Sequence, residues 1–370
     1  MCNPLDIEKP TLVLRAERAR RNIETMASKA FKSSVRFRPH FKTHQSAQIG
    51  EWFRECGVES ITVSSLDMAD YFAGHGWRDI TVAFPANILE IAKINGLAEA
   101  VDLGLLVEST ETAVFLARHL TSRAGVWIKI DVGSQRTGIA WDRLDRVLAV
   151  AEQVERARLL SFRGLLTHAG HAYQARSREE IKKVHGETVA RMAHVRAGLS
   201  AEGLPGAEVS VGDTPTCTVM DDFGDVDEIR PGNFVFYDVM QLELRVCSEE
   251  EIAVAVACPV VAKHEDRSEA VVYGGAIHLS TESIAGPDGA QAFGYVALPT
   301  QDGWGPAVQG GYVSSLSQEH GVVKLPDHVL GGLRVGDVLM VVPVHSCLTA
   351  NLMKTYRTLD GQSITAMGVR

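Results

Sequence analysis

Short apolar runs alternate with amphipathic helical stretches along the first two thirds of the 370-residue chain. The apolar runs are Val35–Phe37, Ser60–Val63, Ile80–Phe84, Leu103–Val107, Gly125–Ile130, Leu159–Thr167, Glu208–Val211 and the interrupted Val226–Tyr237. Such alternation predicts βαβ units and a parallel sheet. Eight strands in this part of the chain predict an α/β fold closed as a (β/α)8 TIM barrel, which typically needs roughly 250 residues. An open doubly wound sheet is the alternative, and we disfavour it because no Gly-x-Gly-x-x-Gly motif follows the first run.

Helical periodicity fades after Val239, and short strand-like runs separated by Gly, Pro and Asp take its place. These runs are Ile252–Ala262, Ala270–Tyr273, Gly321–Leu325 and Val338–Val342. They predict a C-terminal all-β domain. We expect the N-terminal run Thr11–Leu14 to join that domain. The predicted division is a barrel over residues 15–240 and a β domain over 241–370, completed by residues 1–14.

The charge and hydropathy of the chain exclude several classes of partner. It carries 37 basic and 46 acidic residues, a net charge of −9, whereas nucleic-acid binding requires clustered cations. No apolar run approaches the roughly 18 residues that a membrane span needs, and the N-terminus has no signal-peptide pattern. We therefore predict a cytoplasmic protein. Its six cysteines include no Cys-x-x-Cys pair, which argues against a disulfide framework.

In barrel enzymes the active site lies at the carboxyl ends of the strands. Clusters of polar residues follow five of the predicted strands, and we expect them to meet at one barrel mouth. The clusters are Arg38–His44, Asp131–Gly138, Thr167–Tyr173, Ser210–Thr216 and Arg230–Asp238.

Lys42 is the candidate nucleophile of the first cluster. Arg38, His40 and His44 lie near it in the sequence, and neighbouring cations favour the neutral amine that attacks carbonyl groups. A solvated surface lysine is the alternative on this segment alone.

Two glycine-containing turns are candidates for a phosphate cradle. Gly212 and Thr214 lie in one turn, and Gly232 and Asn233 lie in the other. Glycine allows backbone N–H groups to approach an anion, and barrels often bind phosphate after strands seven and eight. Asp213 fits such a site only if its carboxylate points away.

Three further side chains are candidates in the loops. His168 suits stacking on a planar ring or hydrogen bonding to one, although a buried structural histidine is the commoner case. Arg136, between Gly133 and Gly138, suits a turn that presents a cation inward, with a surface ion pair as the alternative. Tyr173 follows His168 in the same cluster.

His345 and Cys347 form the strongest candidate metal motif. On an extended segment, residues two apart point to the same side. Imidazole and thiolate favour Zn²⁺ over Mg²⁺, and two protein ligands leave positions open for substrate oxygens.

Together these residues resemble the fold-type III pyridoxal-phosphate enzymes and, more narrowly, the D-serine dehydratase/D-threonine aldolase family, whose barrel resembles that of alanine racemase. The segment Arg38–His44 looks like the family's lysine motif, which implies that Lys42 bonds to pyridoxal 5′-phosphate. The turns at Gly212–Thr214 and Gly232–Asn233 look like its phosphate loops. His345–Cys347 looks like its zinc motif. By this resemblance His168 and Tyr173 flank the cofactor ring.

The resemblance also implies a homodimer and a lyase acting on a β-hydroxy-D-amino acid. Arg136 or Arg230 would contact the phenolic oxygen or the ring nitrogen of the cofactor. Cys347 indicates a dehydratase, which yields a 2-oxo acid and ammonia, because aldolases of the family usually carry Asp there. The alternatives are D-threonine aldolase, then an amino-acid racemase or a non-catalytic carrier of the cofactor.

Three positions depart from the family pattern, and they bear on the substrate more than on the cofactor. Asp213 replaces a usual Ser, the segment Tyr273–Ser280 lacks an expected Asp, and Met367–Gly368 lacks a usual Arg.

Overall fold

The structure is a computed structural model that describes residues 6–204, 206–286 and 289–369. Residues 1–5 of the predicted N-terminal segment, Pro205 of the predicted barrel, and residues 287, 288 and 370 of the predicted β domain lie outside the described residues. The chain folds into two compact units. One comprises residues through Ile23, Thr43–Ile49 and the chain from Asn233 onwards, and the other comprises Glu24–Lys42 and Gly50–Gly232.

The strands are numbered along the chain. They are β1 (Thr11–Leu14), β2 (Arg36–Phe37), β3 (Ser60–Val63), β4 (Asp79–Pro85), β5 (Asp102–Val107), β6 (Ala124–Asp131), β7 (Ile139–Ala140), β8 (Leu160–Leu166), β9 (Glu208–Val211), β10 (Glu228–Ile229), β11 (Val254–His264), β12 (Glu269–Tyr273), β13 (Ile284–Ala285), β14 (Gln291–Ala292), β15 (Gly294–Thr300), β16 (Gly303–Leu316), β17 (His320–Lys324), β18 (Val338–Pro343), β19 (Thr355–Thr358) and β20 (Ser363–Thr365).

The α-helices are numbered in the same way. They are α1 (Ala16–Lys32), α2 (Ala47–Glu55), α3 (Leu66–Gly74), α4 (Ile91–Ala100), α5 (Thr110–His119), α6 (Leu144–Glu155), α7 (Arg178–Ala201), α8 (Thr214–Val219), α9 (Val239–Glu243), α10 (Ala276–Leu279), α11 (Asp327–Leu330) and α12 (Ser346–Met353).

Eight parallel strands form the barrel of the second unit, in the order β2-β10-β9-β8-β6-β5-β4-β3. An isolated parallel bridge between His40 and Thr62 links the two ends of this order, with the N–H of Phe41 donating to the Thr62 carbonyl at 2.8 Å. The predicted α/β barrel is therefore confirmed. The last predicted run shortens to β10, because Pro231 offers no N–H to continue a ladder.

The first unit contains one large sheet, in the order β12-β17-β16-β15-β18-β11-β1-β19-β20. Its pairings are antiparallel except that of β1 with β19. Because β1 lies between β11 and β19, the beginning of the described chain is part of this C-terminal sheet. The predicted all-β character is correct for the sheet, but helices α10, α11 and α12 were not predicted.

A buried carboxylate connects the two shortest barrel strands. Glu228 on β10 accepts hydrogen bonds at 2.6 Å from Arg36 Nε, Arg38 Nε and Ser210 Oγ. Its side chain is fully buried, and that of Arg38 is 3% exposed. Since β2 and β10 contribute only two residues each, this cluster of charges reinforces a short ladder.

We predict that Glu228→Gln lowers the free energy of unfolding by about 3–5 kcal/mol, because it leaves buried arginine charge without its main counter-ion. Urea denaturation of the purified protein measures this. Glu152→Gln, which breaks an exposed pair with Arg156, is the matched control and should cost at most about 0.5 kcal/mol. Equal costs for the two variants would contradict the role given to Glu228.

Candidate active site

Lys42 lies in the turn that follows β2 and is exposed. Phe41, just before it, is buried against the rings of Phe53, Phe72 and Trp77, with centroids 4.9 to 5.0 Å apart. The backbone N–H of Lys42 donates to His40 Nδ1 at 3.3 Å. A buried aromatic anchor therefore fixes the backbone of this turn, while the lysine side chain stays accessible.

His168 follows β8 and is held by its ring. Its Nδ1 donates to the carbonyl of Gly212 at 2.5 Å, so the neutral ring presents Nε2 as an acceptor. Burial, followed by the charges of Lys42 and Lys129, holds the pKa of His168 well below its usual range. The imidazole therefore stays uncharged at neutral pH, as suits contact with a planar ring.

Sequence reasoning missed Lys129. It is the only charged residue in the apolar run Gly125–Ile130, and that contrast was the available signal. The side chain is 5% exposed. Burial, then the charges of Arg230 and Arg136, lowers its pKa to about 7, against smaller opposing effects of Asp131 and Glu108.

The surroundings of Lys129 and His168 are thus dominated by positive charge. The carboxylate of Asp131, at the end of β6, is turned to the backbone, since it accepts from the N–H groups of Gly133 at 2.9 Å and Gln135 at 3.1 Å. Buried cations without a matching anion are costly. An anionic ligand such as a phosphate ester would therefore be favourable here.

Asp213 does not oppose such a ligand, because its carboxylate is turned towards its own helix. Its two oxygens accept from the N–H of Thr216 at 2.7 Å and the hydroxyl of Thr216 at 2.8 Å. Burial raises the pKa of Asp213 to about 6 despite these bonds. Gly212 packs so tightly that a Cβ there would lie 2.8 Å from Arg230 Cβ. The N–H of the adjacent Thr214 donates to the hydroxyl of Tyr173 at 3.4 Å.

The two candidate arginines differ in their surroundings. Arg230 is 4% exposed, and its guanidinium donates to Ser210 Oγ at 2.7 Å and to the Thr167 carbonyl. Arg136 is exposed in the loop after β6. That loop folds back at Gly138, where φ is +110°. A Cβ there would lie 2.7 Å from the Asp131 nitrogen, so a side chain is excluded. Arg136 is therefore the arginine that the fold leaves accessible.

His345 and Cys347 lie together in the other unit, but not on an extended segment. His345 is the N-cap residue of α12 and Cys347 is in its first turn. Burial lowers the pKa of His345, but its hydrogen bond to Cys347 and the charges of Cys347, Asp238 and Glu282 outweigh this and raise it to about 9. The two residues thus lie together at the start of a helix. The extended segment that the sequence analysis expected there was wrong.

Among the described residues, His345 and Cys347 have few other potential metal ligands beside them. Within the described part of the chain, no group of three or more His, Cys, Asp or Glu side chains could hold a metal ion. Thr43 Oγ1 lies 3.2 Å from the Cys347 sulfur. A nitrogen and a sulfur in contact fit an ion such as zinc only if water or substrate completes its coordination.

Asn233 lies beside this pair instead of offering its side chain to a phosphate. Its Nδ2 donates to Asp238 Oδ2 at 2.5 Å and to Ser346 Oγ at 3.0 Å. The side-chain amide of Asn233 is thus engaged within its own unit, and its part in the predicted cradle with Gly232 stays a prediction.

Comparison with known proteins gives two family matches. Residues 14–239 match the alanine racemase N-terminal domain, and residues 253–359 match the "Putative serine dehydratase domain". No helix within the described residues is long and apolar enough to cross a membrane.

Two relatives and one solved structure are similar to this chain over nearly their whole length. D-threo-3-hydroxyaspartate dehydratase from Delftia sp. is 29% identical, covering 96% of this chain and 95% of its own. D-serine dehydratase from Dictyostelium discoideum is 26% identical, covering 97% and 95%. A solved cysteine-to-alanine mutant of D-threo-3-hydroxyaspartate dehydratase, in a metal-free form, has a TM-score of 0.91 at 28% identity, covering 100% of both chains.

The lowered pKa of Lys129 predicts a pH-dependent stability of the cofactor-free protein. Above about pH 7 the unfolded chain binds a proton that folded Lys129 has released, so stability rises with pH by up to about 1.4 kcal/mol per unit. Lys129→Met should lose this contribution. Urea denaturation between about pH 7 and pH 9 measures the slope. Lys183→Met, at an exposed helix position, serves as control, and equal slopes in all three proteins would refute the assignment.

Proposed function

The chain belongs to the alanine racemase N-terminal domain family, and from that premise we propose that it is a pyridoxal-phosphate- and zinc-dependent dehydratase of a β-hydroxy-D-amino acid. It is a pyridoxal-phosphate-dependent lyase by its relationship to dehydratases and aldolases. The dehydratase reaction and the zinc ion are the finer parts of the proposal. The observation that carries them is the placement of His345 and Cys347 together at the start of α12.

The barrel residues fit the cofactor. The positive surroundings of Lys129 and His168 suit its phosphate and phenolic groups, and the accessible Lys42 suits a covalent bond to its carbonyl carbon. We assign its phosphate to Gly212, Thr214, Gly232 and the backbone of Asn233. Arg136 is assigned to its phenolic oxygen, and His168 and Tyr173 to its ring. Pyridoxal phosphate, when bound, supplies an electron sink for negative charge at the substrate Cα.

Lys42 then has two tasks in this proposal. It holds the cofactor before substrate arrives, and its released amine takes the proton from the substrate Cα. His168 stays neutral, so it contacts the ring without adding a charge. Arg230 keeps Ser210 and Thr167 in place below the site instead of contacting substrate.

The candidate metal pair lies in the other unit. His345 and Cys347 would hold the metal ion, which when bound would supply a Lewis acid for the departure of a hydroxyl group. A thiol at position 347 favours zinc over the oxygen-preferring Mg²⁺. Elimination followed by hydrolysis then yields a 2-oxo acid and ammonia.

The remaining assignments are also proposals. We assign residues 15–240 to the cofactor-binding barrel and residues 241–370, with the first 14 residues, to the domain that carries the metal pair. A homodimer and a cytoplasmic location stay predictions. Size-exclusion chromatography with light scattering measures the first.

Product analysis tests the reaction. With D-threonine, zinc and pyridoxal phosphate, we expect 2-oxobutanoate and ammonia in equal amounts. Lys42→Ala should lose the activity and the absorbance of lysine-bound cofactor. Glycine with acetaldehyde would instead establish an aldolase, and L-threonine would indicate a racemase. Binding of cofactor without any turnover of D-serine, D-threonine or D-threo-3-hydroxyaspartate would leave only the carrier function.

Metal analysis of Cys347→Ala tests the metal pair. We expect loss of bound zinc and of dehydratase activity, with pyridoxal phosphate still bound at Lys42. Cys258→Ala, which removes another buried thiol, is the matched control and should keep its zinc. Unchanged zinc content in Cys347→Ala would remove the metal from the proposal.

A further inference from the structure

Three buried side chains that do not belong to the donor pair converge on it. They are Asn233, Asp238 and Ser346, and all are at most 5% exposed. We propose that they form a positioning frame, which fixes the Cys347 sulfur relative to the His345 ring for the metal ion. This inference rests on the metal-binding part of the proposed function.

The frame is needed because His345 does not cap the helix that it begins. The first N–H groups of a helix lack partners within the helix, and an N-cap side chain usually satisfies one of them. His345, the N-cap residue of α12, has extended backbone (φ −133°, ψ 99°) and makes no such side-chain bond. The imidazole of His345 is therefore not used to cap α12.

Asp238 supplies the missing bond from a distant part of the chain. Its Oδ2 accepts from the backbone N–H of Ser346 at 2.9 Å and from the Ser346 hydroxyl at 3.3 Å. Its Oδ1 meanwhile caps its own helix, α9, by accepting from Gln241 N–H at 3.0 Å. One carboxylate thus joins the starts of two helices, and the residue that it fixes stands between His345 and Cys347.

Asn233 extends the frame to the sulfur. Its Nδ2 donates to Asp238 Oδ2 and Ser346 Oγ, and lies 3.7 Å from Cys347 Sγ. Its Oδ1 is buried and has no hydrogen-bond partner among the described residues. Buried acceptors of this kind are rarely left unsatisfied. A donor from outside the protein, a water or a ligand, therefore belongs beside Asn233 Oδ1.

Cobalt binding tests the frame independently of catalysis. Co²⁺ is titrated into metal-free holoenzyme against a competing chelator, and the thiolate-to-cobalt charge-transfer band reports occupancy. We expect Asn233→Ala and Asp238→Asn each to weaken binding roughly 10- to 100-fold, as for other partners that orient metal ligands. The absorbance of bound pyridoxal phosphate should not change in Asp238→Asn, and the far-ultraviolet circular dichroism should not change in either variant.

Ser177→Ala is the matched control. Ser177 is the N-cap residue of α7, and its Oγ accepts from the N–H of Glu180 at 3.2 Å. The cobalt affinity of Ser177→Ala should equal that of the wild type. If Asn233→Ala does not fold, Asp238→Asn, which keeps the size of the side chain, decides the matter. Cobalt affinity within about twofold of wild type in the folded variants would overturn the frame. Absence of the charge-transfer band in the wild type would show instead that the metal pair of the proposed function fails, and the frame with it.

Discussion

The barrel depends on one buried carboxylate, that of Glu228. Strands β2 and β10 are each two residues long, so few backbone bonds join them to each other and to β9. Glu228 adds ionic hydrogen bonds from Arg36 and Arg38 and a bond from Ser210. Arg38 also pairs with Asp79 on β4 through two bonds of 2.7 and 2.8 Å. Closure of the barrel thus depends on buried charges. Each charge has several partners that compensate for its desolvation, which is the condition under which a buried ion pair is tolerated.

The same network leads towards the mouth, where the balance of charge changes. Ser210 bonds both Glu228 and Arg230, and Arg230 in turn bonds the Thr167 carbonyl just before His168. Carboxylates prevail at the base of this chain of contacts. Around His168 and Lys129 cations prevail, and the pKa of both groups is lowered. A neutralised base therefore supports a mouth where the charges of Arg230 and Arg136 outweigh those of Asp131 and Glu108 at Lys129, an arrangement that suits an anionic cofactor.

Periodicity was sufficient to predict the barrel, because its strands are apolar on both faces and its helices are amphipathic. The runs at Ser60–Val63 and Glu208–Val211 even have the observed limits. Strand β16 was not predicted, since its 14 residues include Pro306 and four glycines, and pairing with β15 and β17 holds it extended. Helix α12 was hidden for a related reason, because its N-cap residue is a histidine and the capping carboxylate lies 108 residues earlier in the chain.

The residues of the candidate site also differ in whether the local sequence or the folded surroundings reveal their roles. Lys42 and the His345–Cys347 pair belong to short motifs, whereas the roles of Lys129 and Asn233 are set by what surrounds them after folding. Glu228 has several partners and completes a network that needs nothing further. Asn233 has an amide group satisfied on one side only, so its network stays open at the oxygen. Partly satisfied buried networks are costly unless a ligand completes them. The contrast between these two networks separates the part of the protein that holds the fold from the part that awaits a ligand.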